Sequence, residues 1–252
     1  MATLTETPAR VLHVEHCMGT VFTIDIRDRG AWDDAVSDAV GWLHSVDRVF
    51  STYRSDSDIC RVGHGELAVA DADRRVAEVL ELCAEVQLDT GGYFTAMVQG
   101  RLDPTGLVKG WAIEGASDVL RAHGSHNHAI NGGGDMQLAG ERAPGEPWRV
   151  GISDPFQRTR VLKVVTGRDM AVATSGVAER GAHIVNPFTG LVATGLASVT
   201  VVGASLTRGD AYATAAFAMG ARALPWLESL PGCEGLVVGA DETFAATSGL
   251  QT

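Results

Sequence analysis

Residues 103–138 read DPTGLVKGWAIEGASDVLRAHGSHNHAINGGGDMQL, and this stretch decides the fold class of the chain. Its apolar residues recur at helical spacing from Leu107 to Ala122, with the flexible Gly106 just before them. The following part, His126–Leu138, contains a strand that three glycines interrupt. A long helix and a broken strand therefore follow each other, which indicates a chain that contains both helices and strands.

Two helices and a strand pair are predicted before this stretch. Residues from about Val11 to Arg27 alternate between apolar and polar around a turn near Gly19, which indicates two paired strands. Helical spacing follows over Ala31–Phe50 and again over Arg75–Leu88, where Gly91-Gly92 ends the second helix.

Short β-rich runs dominate the sequence after the central stretch. They are Trp148–Ile152, Val161–Thr166, Ala171–Thr174, Ser198–Val202, Leu236–Val238 and Thr243–Ala245. One further helix is predicted over Thr207–Leu230, with interruptions at Gly220 and Pro225. Because helices and strands do not alternate regularly along the chain, the order predicts an α+β fold with mixed sheets and flanking helices.

The composition fits one globular domain that spans residues 1–252, or two closely joined lobes. The chain has 252 residues, of which 45% are hydrophobic and 20% charged, so it can bury a full core. Its formal net charge of −11 argues against a nucleic-acid partner and against an anionic membrane surface. No apolar run approaches the roughly 18 residues of a transmembrane helix, and the first residues lack a signal-peptide pattern. We therefore expect a cytoplasmic protein that does not insert into a membrane.

Asp210 and Thr214 lie four residues apart at the start of a predicted helix, so they share one of its faces. A carboxylate and a hydroxyl in this arrangement offer two hard oxygen ligands to Mg²⁺. The same segment also fits a capping box, because Thr207 precedes Asp210 by three positions. Capping is the commoner use of such a pair, and the two roles are compatible.

Two glycine-containing segments offer places for a phosphate group. In the first, Pro104 and Gly106 shape a turn before a helix whose free N–H groups can bind an anion, and Lys109 adds a positive charge. In the second, Asn131-Gly-Gly-Gly-Asp135, the backbone can approach a ligand closely. This is not a dinucleotide-binding fingerprint, because Gln137 stands where a third glycine is required. A solvated lysine and a plain glycine loop or bulge are the structural alternatives.

Two further residues carry chemistry that a site can use. His183 could act as a general base for a hydroxyl, although a single histidine among apolar neighbours is more often structural. Tyr53 could stack on a flat ring, or be a half-buried surface residue. The segment Thr174-Ser175-Gly176 offers small hydroxyls without the order of a catalytic triad.

Seven short motifs, taken in their order along the chain, resemble those of the ApbE family of FAD:protein FMN transferases. They are MGT (18–20), STYRSDSDICR (51–61), DPTGLVKGWA (103–112), NGGGD (131–135), TSG (174–176), HIVNPFTG (183–190) and DAYAT (210–214). Each motif is short, but seven in one order are specific, and the similarity runs from about residue 12 to residue 240. The resemblance implies an ApbE-like, T-fold-like architecture.

The resemblance implies a transferase that uses Mg²⁺, or Mn²⁺ in its place, to cleave the pyrophosphate of FAD. FMN then passes to a threonine hydroxyl of an acceptor protein as a phosphoester, and AMP leaves. The acceptor would carry a threonine flavinylation motif. Hydrolysis of FAD to FMN and AMP, and FAD binding without catalysis, are the alternative activities.

The resemblance also implies roles for individual residues. Asp210 and Thr214 would bind the metal through their side chains, and Gly106 and Ala213 would bind it through their backbone carbonyls. Asp210 and His183 would be the catalytic residues, with His183 helping to deprotonate the acceptor hydroxyl. The residues that would line the FAD site are Met18, Tyr53, Tyr93, Phe94, Thr95, Asp103, Lys109 and Ile184.

One position departs from the family pattern. Members of the family often have Gly-Ala-Phe-Asp after the second helix, whereas this chain has Gly92-Tyr-Phe-Thr95, so a hydroxyl replaces the carboxylate. The segment between Phe94 and Asp103 is also short. We therefore expect this part of the FAD pocket to differ from that of other members.

Overall fold

The computed structural model describes residues 10–177 and 184–251 of the protein. The strands are β1 Val11–Cys17, β2 Thr20–Ile26, β3 Met97–Val98, β4 Arg101–Leu102, β5 His128–Gly132, β6 Asp135–Ala139, β7 Trp148–Ser153, β8 Val161–Gly167, β9 Met170–Gly176, β10 Leu196–Gly203, β11 Glu234–Gly239 and β12 Phe244–Ala246. The α-helices are α1 Asp33–Phe50, α2 Asp58–Gly63, α3 Arg74–Asp89, α4 Thr105–Ala122, α5 Leu206–Met219, α6 Ala223–Glu228 and α7 Ser248–Gln251. Short 3₁₀ helices cover Val69–Asp71 and Gly220–Arg222.

Eight strands form the main sheet, in the order β1-β2-β5-β6-β9-β10-β11-β12. Each neighbouring pair in this sheet is antiparallel. The pairs β3–β4 and β7–β8 form two separate two-stranded sheets. Several sheets with helices beside them confirm the predicted α+β class.

Helices α1, α4 and α5 pack as a layer on one face of the main sheet, with α4 in contact with both of the others. Strand β2 shows why this face is apolar: Phe22, Ile24 and Ile26 alternate along it and are fully buried. Where α1 meets α4, the rings of Trp42 and Trp111 lie 5.1 Å apart. Each large side chain buried here contributes about 1.5–3 kcal/mol to the free energy of unfolding, so the layer holds α4 firmly on the sheet.

The opposite face of the sheet is covered by the β7–β8 hairpin. Trp148 and Val165 of the hairpin pack in one apolar cluster with Val172 of β9. The neighbours of Val172, Ala171 and Ala173, point the other way and join the cluster under the helices. Strand β9 is therefore buried on both faces, in the middle of the molecule.

The predicted strand pair and helices agree with the observed elements to within a few residues at most of their ends. The helix predicted over Thr207–Leu230 divides at its predicted interruption, because α5 ends at Met219 and Gly220 adopts a φ of 60°. Within the described ranges, none of the helices combines the length and apolar character needed to cross a membrane.

The glycine triplet forms a tight turn between two strands. Strands β5 and β6 pair antiparallel, with Gly132 opposite Asp135. Gly133 and Gly134 form the turn with φ values of 60° and 95°, a backbone conformation that favours glycine at both positions. The turn places Asp135 at the start of β6, next to the N-terminal half of α4.

The capping box at Thr207 and Asp210 is not formed. Helix α5 begins one residue earlier, and its N-cap is Ser205, whose Oγ accepts a hydrogen bond from the Arg208 N–H at 3.3 Å. Thr207 donates instead to Glu114 of α4. The carboxylate of Asp210 is thereby left for contacts with α4.

Candidate functional site

A cavity of about 450 Å³ lies between α4, α5, β9 and the loops around residues 93–100 and 184–190. It brings together residues that are up to 194 positions apart in the sequence, from Thr20 to Thr214. The predicted site residues that line it are Tyr93, Phe94, Thr95, Asp103, Gly106, Lys109, Ile184, Asp210 and Thr214.

Three predicted site residues are placed differently, and a fourth is not described by the structure. Met18, with a φ of 52°, packs against the core two residues before Thr20, which does line the cavity. Ala213 is fully buried within α5. Tyr53 does not line the cavity, and its side chain is 98% exposed. His183 lies outside the described residues.

Three charged groups meet at the inner end of the cavity. The carboxylate of Asp210 accepts a hydrogen bond from the Gly110 N–H at 3.0 Å, and the same oxygen lies 3.2 Å from Lys109 Nζ. Lys109 Nζ also contacts Oδ2 of Asp135. Both carboxylates are nearly fully buried, at 3% exposure for Asp210 and 1% for Asp135. Two negative charges therefore surround one positive charge beside the cavity.

Two hydroxyls stand next to these charges. Ser175 Oγ of β9 lies 3.1 Å from Thr214 Oγ1 of α5, and both residues line the cavity. Gly106 is also close, since a Cβ at that position would come within 3.6 Å of Thr214 Oγ1. The start of α4, the middle of α5 and the end of β9 thus converge on one group of oxygen atoms.

This set of donors fits a hard divalent cation. Among the described residues no three histidine, cysteine or acidic side chains cluster as they would around zinc. The groups present are the Asp210 carboxylate and the Thr214 and Ser175 hydroxyls, which are oxygen donors. Mg²⁺ prefers oxygen ligands and usually keeps water or substrate phosphate in the rest of its coordination shell. Asp210 and Thr214, the two residues predicted to bind Mg²⁺ through their side chains, therefore fit the ion chemically.

Two polar residues of the cavity also stabilise the local backbone. Asp103 Oδ1 accepts hydrogen bonds from the Thr105 N–H at 3.0 Å and from the Thr105 hydroxyl at 2.6 Å, which secures the first turn of α4. Thr95 Oγ1 accepts from the Met97 N–H at 3.1 Å. The hydroxyl that replaces the family carboxylate at position 95 is therefore engaged with the loop that forms the cavity wall.

An aromatic group forms the outer wall of the cavity. The ring of Tyr93 lies 4.8 Å from that of Phe188, and the guanidinium of Arg222 lies 4.8 Å from the centre of the Tyr93 ring. These contacts orient the Tyr93 ring through aromatic and cation–π attraction. At the mouth, Gln99 Nε2 donates to the Gly190 carbonyl at 3.4 Å and so connects the two loops.

Helix α5 is held in place by a polar network on its outer side. Arg208 donates to Glu85 at 2.9 Å and to Asp89 at 2.6 Å, both of which are in α3. The Tyr212 hydroxyl donates to Asp89 at 2.8 Å, and burial raises the pKa of this phenol above its ordinary value. The network lies next to Asp210 in the sequence and secures the helix that carries it.

Sequence reasoning did not assign site roles to Thr20, Ser175, Gly133 or Asp135. The first three line the cavity, and Asp135 contacts Lys109. All four lie within motifs that were singled out, namely MGT, TSG and NGGGD. Their contacts join segments that are far apart in the chain, so spacing within a motif gave no sign of them.

The fold and the cavity define an α+β protein with a lysine and oxygen donors grouped in one pocket. The chain matches the ApbE family over residues 18–101 and 98–237, and it belongs to that family.

Curated relatives carry the name FAD:protein FMN transferase. The protein from Vibrio cholerae is 33% identical over 129 residues, which are 47% of this chain and 39% of the relative. The protein from Rhodobacter capsulatus is 31% identical over 198 residues, which are 75% of this chain and 35% of the relative. The chain thus matches well under half of the length of these two relatives.

Solved structures share the fold along almost the whole chain. The flavin transferase ApbE from Vibrio cholerae superposes with a TM-score of 0.84 at 21% identity, covering 96% of this chain and 98% of that one. The ApbE protein from Thermotoga maritima gives a TM-score of 0.86 at 19% identity, with the same coverage. At these identities the likeness shows a common fold.

Proposed function

We propose that this protein is a Mg²⁺-dependent FAD:protein FMN transferase. It would cleave the pyrophosphate of FAD, join the FMN phosphorus to a threonine oxygen of an acceptor protein, and release AMP and a proton. The observation that carries the proposal is the meeting of Lys109, Asp210 and Thr214 at one end of the cavity, in a chain of the ApbE family. The names of the curated relatives support the same activity.

The residues of the cavity would divide the work between binding and charge stabilisation. Asp210 and Thr214 would hold the cation through their side chains, and Gly106 and Ala213 through their carbonyls. When bound, Mg²⁺ supplies positive charge that stabilises the phosphates as the P–O bond breaks. Lys109 lines the same cavity, so its ammonium can donate to a phosphate oxygen.

The flavin and the acceptor would use the outer part of the cavity. Tyr93 is oriented by Phe188 and Arg222, so its ring is available to a flat ring system without further ordering. His183 would take the proton from the acceptor threonine, as the family resemblance implies. The inner charges would hold the phosphates of FAD, and the outer loops would hold the acceptor. The acceptor hydroxyl would therefore approach the phosphorus from the open side of the cavity.

The test is mass spectrometry of an acceptor protein with a threonine flavinylation motif after incubation with this chain, FAD and Mg²⁺. We expect the acceptor to gain the mass of FMN. We expect Asp210→Ala to reduce the rate by at least about a hundredfold, because loss of an outer-shell partner of a metal ligand already costs about 10- to 100-fold. The matched control is Asp118→Ala, an exposed aspartate on α4 that pairs with Arg121 at 3.4 Å. Full turnover by Asp210→Ala at limiting Mg²⁺ would show that the metal assignment is wrong.

The same experiment separates the alternatives. A hydrolase would produce FMN and AMP with no change in the mass of the acceptor, because water would be the nucleophile. A protein that only binds FAD would leave the cofactor intact. The carboxylate, lysine and hydroxyl grouped in the cavity favour catalysis over simple binding.

A further inference from the structure

Asp135 stands out because its carboxylate connects two parts of the site without lining the cavity. Its Oδ1 accepts a hydrogen bond from the Thr174 N–H of β9 at 2.8 Å. Its Oδ2 contacts Lys109 Nζ, which is the one partner of that oxygen among the described residues. With 1% exposure, this carboxylate depends on these partners for its charge to be tolerated.

The arrangement contains one more negative charge than a simple ion pair needs. A partly buried lysine such as Lys109 is compensated by a single carboxylate, and Asp210 at 3.2 Å would be sufficient. The second carboxylate, Asp135, makes the closer contact with Lys109. It therefore takes up much of the ammonium's charge, and Asp210 keeps negative charge that it can offer to a cation.

Asp135 also positions a second component of the site. The N–H that it holds belongs to Thr174, and the next residue, Ser175, presents its hydroxyl 3.1 Å from Thr214. A single carboxylate at the start of β6 thus sets the place of the ammonium on α4 and of the hydroxyl on β9.

We infer that Asp135 is a positioning residue: it makes the closer contact with the Lys109 ammonium, which it shares with Asp210, and so keeps Asp210 available to a divalent cation. The inference rests on the proposed function, because it assigns Asp210 to the cation. It gives the last residue of the NGGGD motif a role that depends on charge, in addition to the hydrogen bond to β9.

The variant Asp135→Asn separates the charge from the hydrogen bond. Asparagine keeps an oxygen that can accept from the Thr174 N–H, but it no longer attracts the ammonium. Lys109 would then pair with Asp210 alone and compete with the cation. We expect the Kd for Mn²⁺ to rise by about tenfold, the lower end of the range for loss of a group that supports a metal ligand.

The measurement is a titration with Mn²⁺ alone, followed by electron paramagnetic resonance of the free ion, for the wild type and three variants. These are Asp135→Asn, Lys109→Met and the double variant. If Asp135 acts through Lys109, the double variant binds Mn²⁺ as tightly as Lys109→Met does. If Asp135 attracts the cation directly, the double variant binds about tenfold more weakly than Lys109→Met, and the inference is overturned.

The comparison of the double variant with Lys109→Met excludes the loss of the ion pair itself as a cause, because neither of these two proteins contains the Lys109 ammonium. Thermal unfolding of each variant accompanies the titration.

The control is Asp28→Asn, since Asp28 accepts hydrogen bonds from the Asn127 N–H and amide at 2.7 Å and does not line the cavity. We expect it to lower the Tm and leave the Kd for Mn²⁺ unchanged. If Asp28→Asn lost as much Mn²⁺ affinity as Asp135→Asn, general destabilisation of the protein would explain both losses, and the inference would be overturned.

Failure of the inference and failure of the proposed function give different results. An unchanged Kd in Asp135→Asn, with FMN transfer by the wild type, overturns the positioning role alone. The expected pattern of Mn²⁺ affinities, without FMN transfer by the wild type to the acceptor, supports the positioning role and contradicts the transferase. A wild type that does not bind Mn²⁺ overturns both.

Discussion

At the scale of single residues, Gly110 determines how closely the two helices of the site approach each other. Its N–H donates to Asp210 across the helix interface. A Cβ at this position would lie 2.5 Å from the Leu206 carbonyl oxygen and 2.9 Å from Cβ of Asp210. Both of these atoms are rigidly attached to α5, so the helix itself would have to move.

Gly110→Ala is therefore expected to destabilise the protein and to displace Asp210. The added methyl group should lower the free energy of unfolding by about 1–3 kcal/mol, the usual range for overpacking. The shift of α5 should weaken Mn²⁺ binding as well. Urea unfolding and the Mn²⁺ titration measure the two effects.

The control for this change is Gly41→Ala in α1, where a Cβ would meet no atom within 4 Å. Alanine is the better helix former by about 1 kcal/mol, so this variant should be as stable as the wild type or more stable. Equal stability of Gly110→Ala and Gly41→Ala would contradict the close approach at Gly110.

Sequence reasoning at this scale finds residues whose chemistry is visible in their own motif. Asp210 with Thr214, and Lys109 after a glycine turn, were candidates for this reason. Ser175 and Asp135 were not, because their partners lie 39 residues away, in Thr214 and Thr174 respectively. The role of such a hydroxyl or carboxylate depends on its partner. The residues between the two in the sequence do not indicate that the two side chains are in contact.

At the scale of elements, the start of α5 is stabilised by a side chain from α4. Oε2 of Glu114 accepts hydrogen bonds from the Ser205 hydroxyl at 2.9 Å, the Thr207 N–H at 2.8 Å and the Thr207 hydroxyl at 2.6 Å. A carboxylate at a helix N-terminus also interacts favourably with the helix dipole. The cap and the ligands Asp210 and Thr214 belong to the same helix, so its first turn positions both.

We expect Glu114→Ala to lower the free energy of unfolding by about 1–3 kcal/mol, because it leaves buried donors at the start of α5 without an acceptor. Glu114→Gln should cost less, since its amide oxygen can still accept. Glu81→Ala on the exposed side of α3 is the control, and it should be close to neutral. The comparison is made by urea unfolding. A loss in Glu114→Ala no greater than that in Glu81→Ala would show that the cap is not important for stability.

The position of helix α5 was predictable from the sequence, but the residues that cap it were not. The helix after residue 205 followed from apolar spacing, and its interruption followed from Gly220. The cap was predicted within Thr207–Asp210, whereas the structure uses Ser205 as the N-cap and adds an acceptor from Glu114, 93 residues before Thr207. Likewise, the glycine triplet was predicted to interrupt one strand, and it is the turn of a hairpin between two strands.

At the scale of the whole molecule, the strand order could not be derived from the sequence. Strand β6 pairs with β9, so the β7–β8 hairpin between them must leave the sheet and fold onto its outer face. The apolar character of β7 and β8 predicted two strands correctly. Strands within the main sheet and strands packed on its face have the same apolar character, so it does not distinguish these two positions. Only the packing of Trp148 and Val165 against Val172 decides the arrangement.

Where this sheet meets α4, a buried histidine makes the stability of the fold sensitive to pH. His128 is fully buried in β5 and lies 2.7 Å from the Ser117 hydroxyl and 2.9 Å from the Ser125 hydroxyl. Burial lowers the pKa of His128 from 6.5 to about 4, and Arg121 adds to this effect while Asp28 opposes it. The imidazole is therefore neutral in the folded protein at pH values where it is protonated in the unfolded chain.

The difference in the pKa of His128 between the folded and unfolded states determines how stability changes with pH. Between about pH 6.5 and 4 the unfolded chain binds a proton that the folded protein does not, so stability falls as the pH is lowered through this window. The loss is at most about 1.4 kcal/mol per pH unit. Asp28, whose pKa lies below its ordinary 3.8 because hydrogen bonds from Asn127 and His126 outweigh the effect of burial, affects stability mainly below that window.

His128→Gln removes the titrating group and keeps a side chain that can bond to the serine hydroxyls. We expect the stability of the wild type relative to this variant to decrease by about 2–3 kcal/mol between pH 7 and pH 4.5, measured by urea unfolding at several pH values. Contributions of the carboxylates cancel in the comparison because both proteins contain them. Parallel pH profiles for the two proteins would show that His128 is protonated in the folded state, and its two serine partners would then have to accept hydrogen bonds from an imidazolium in the core.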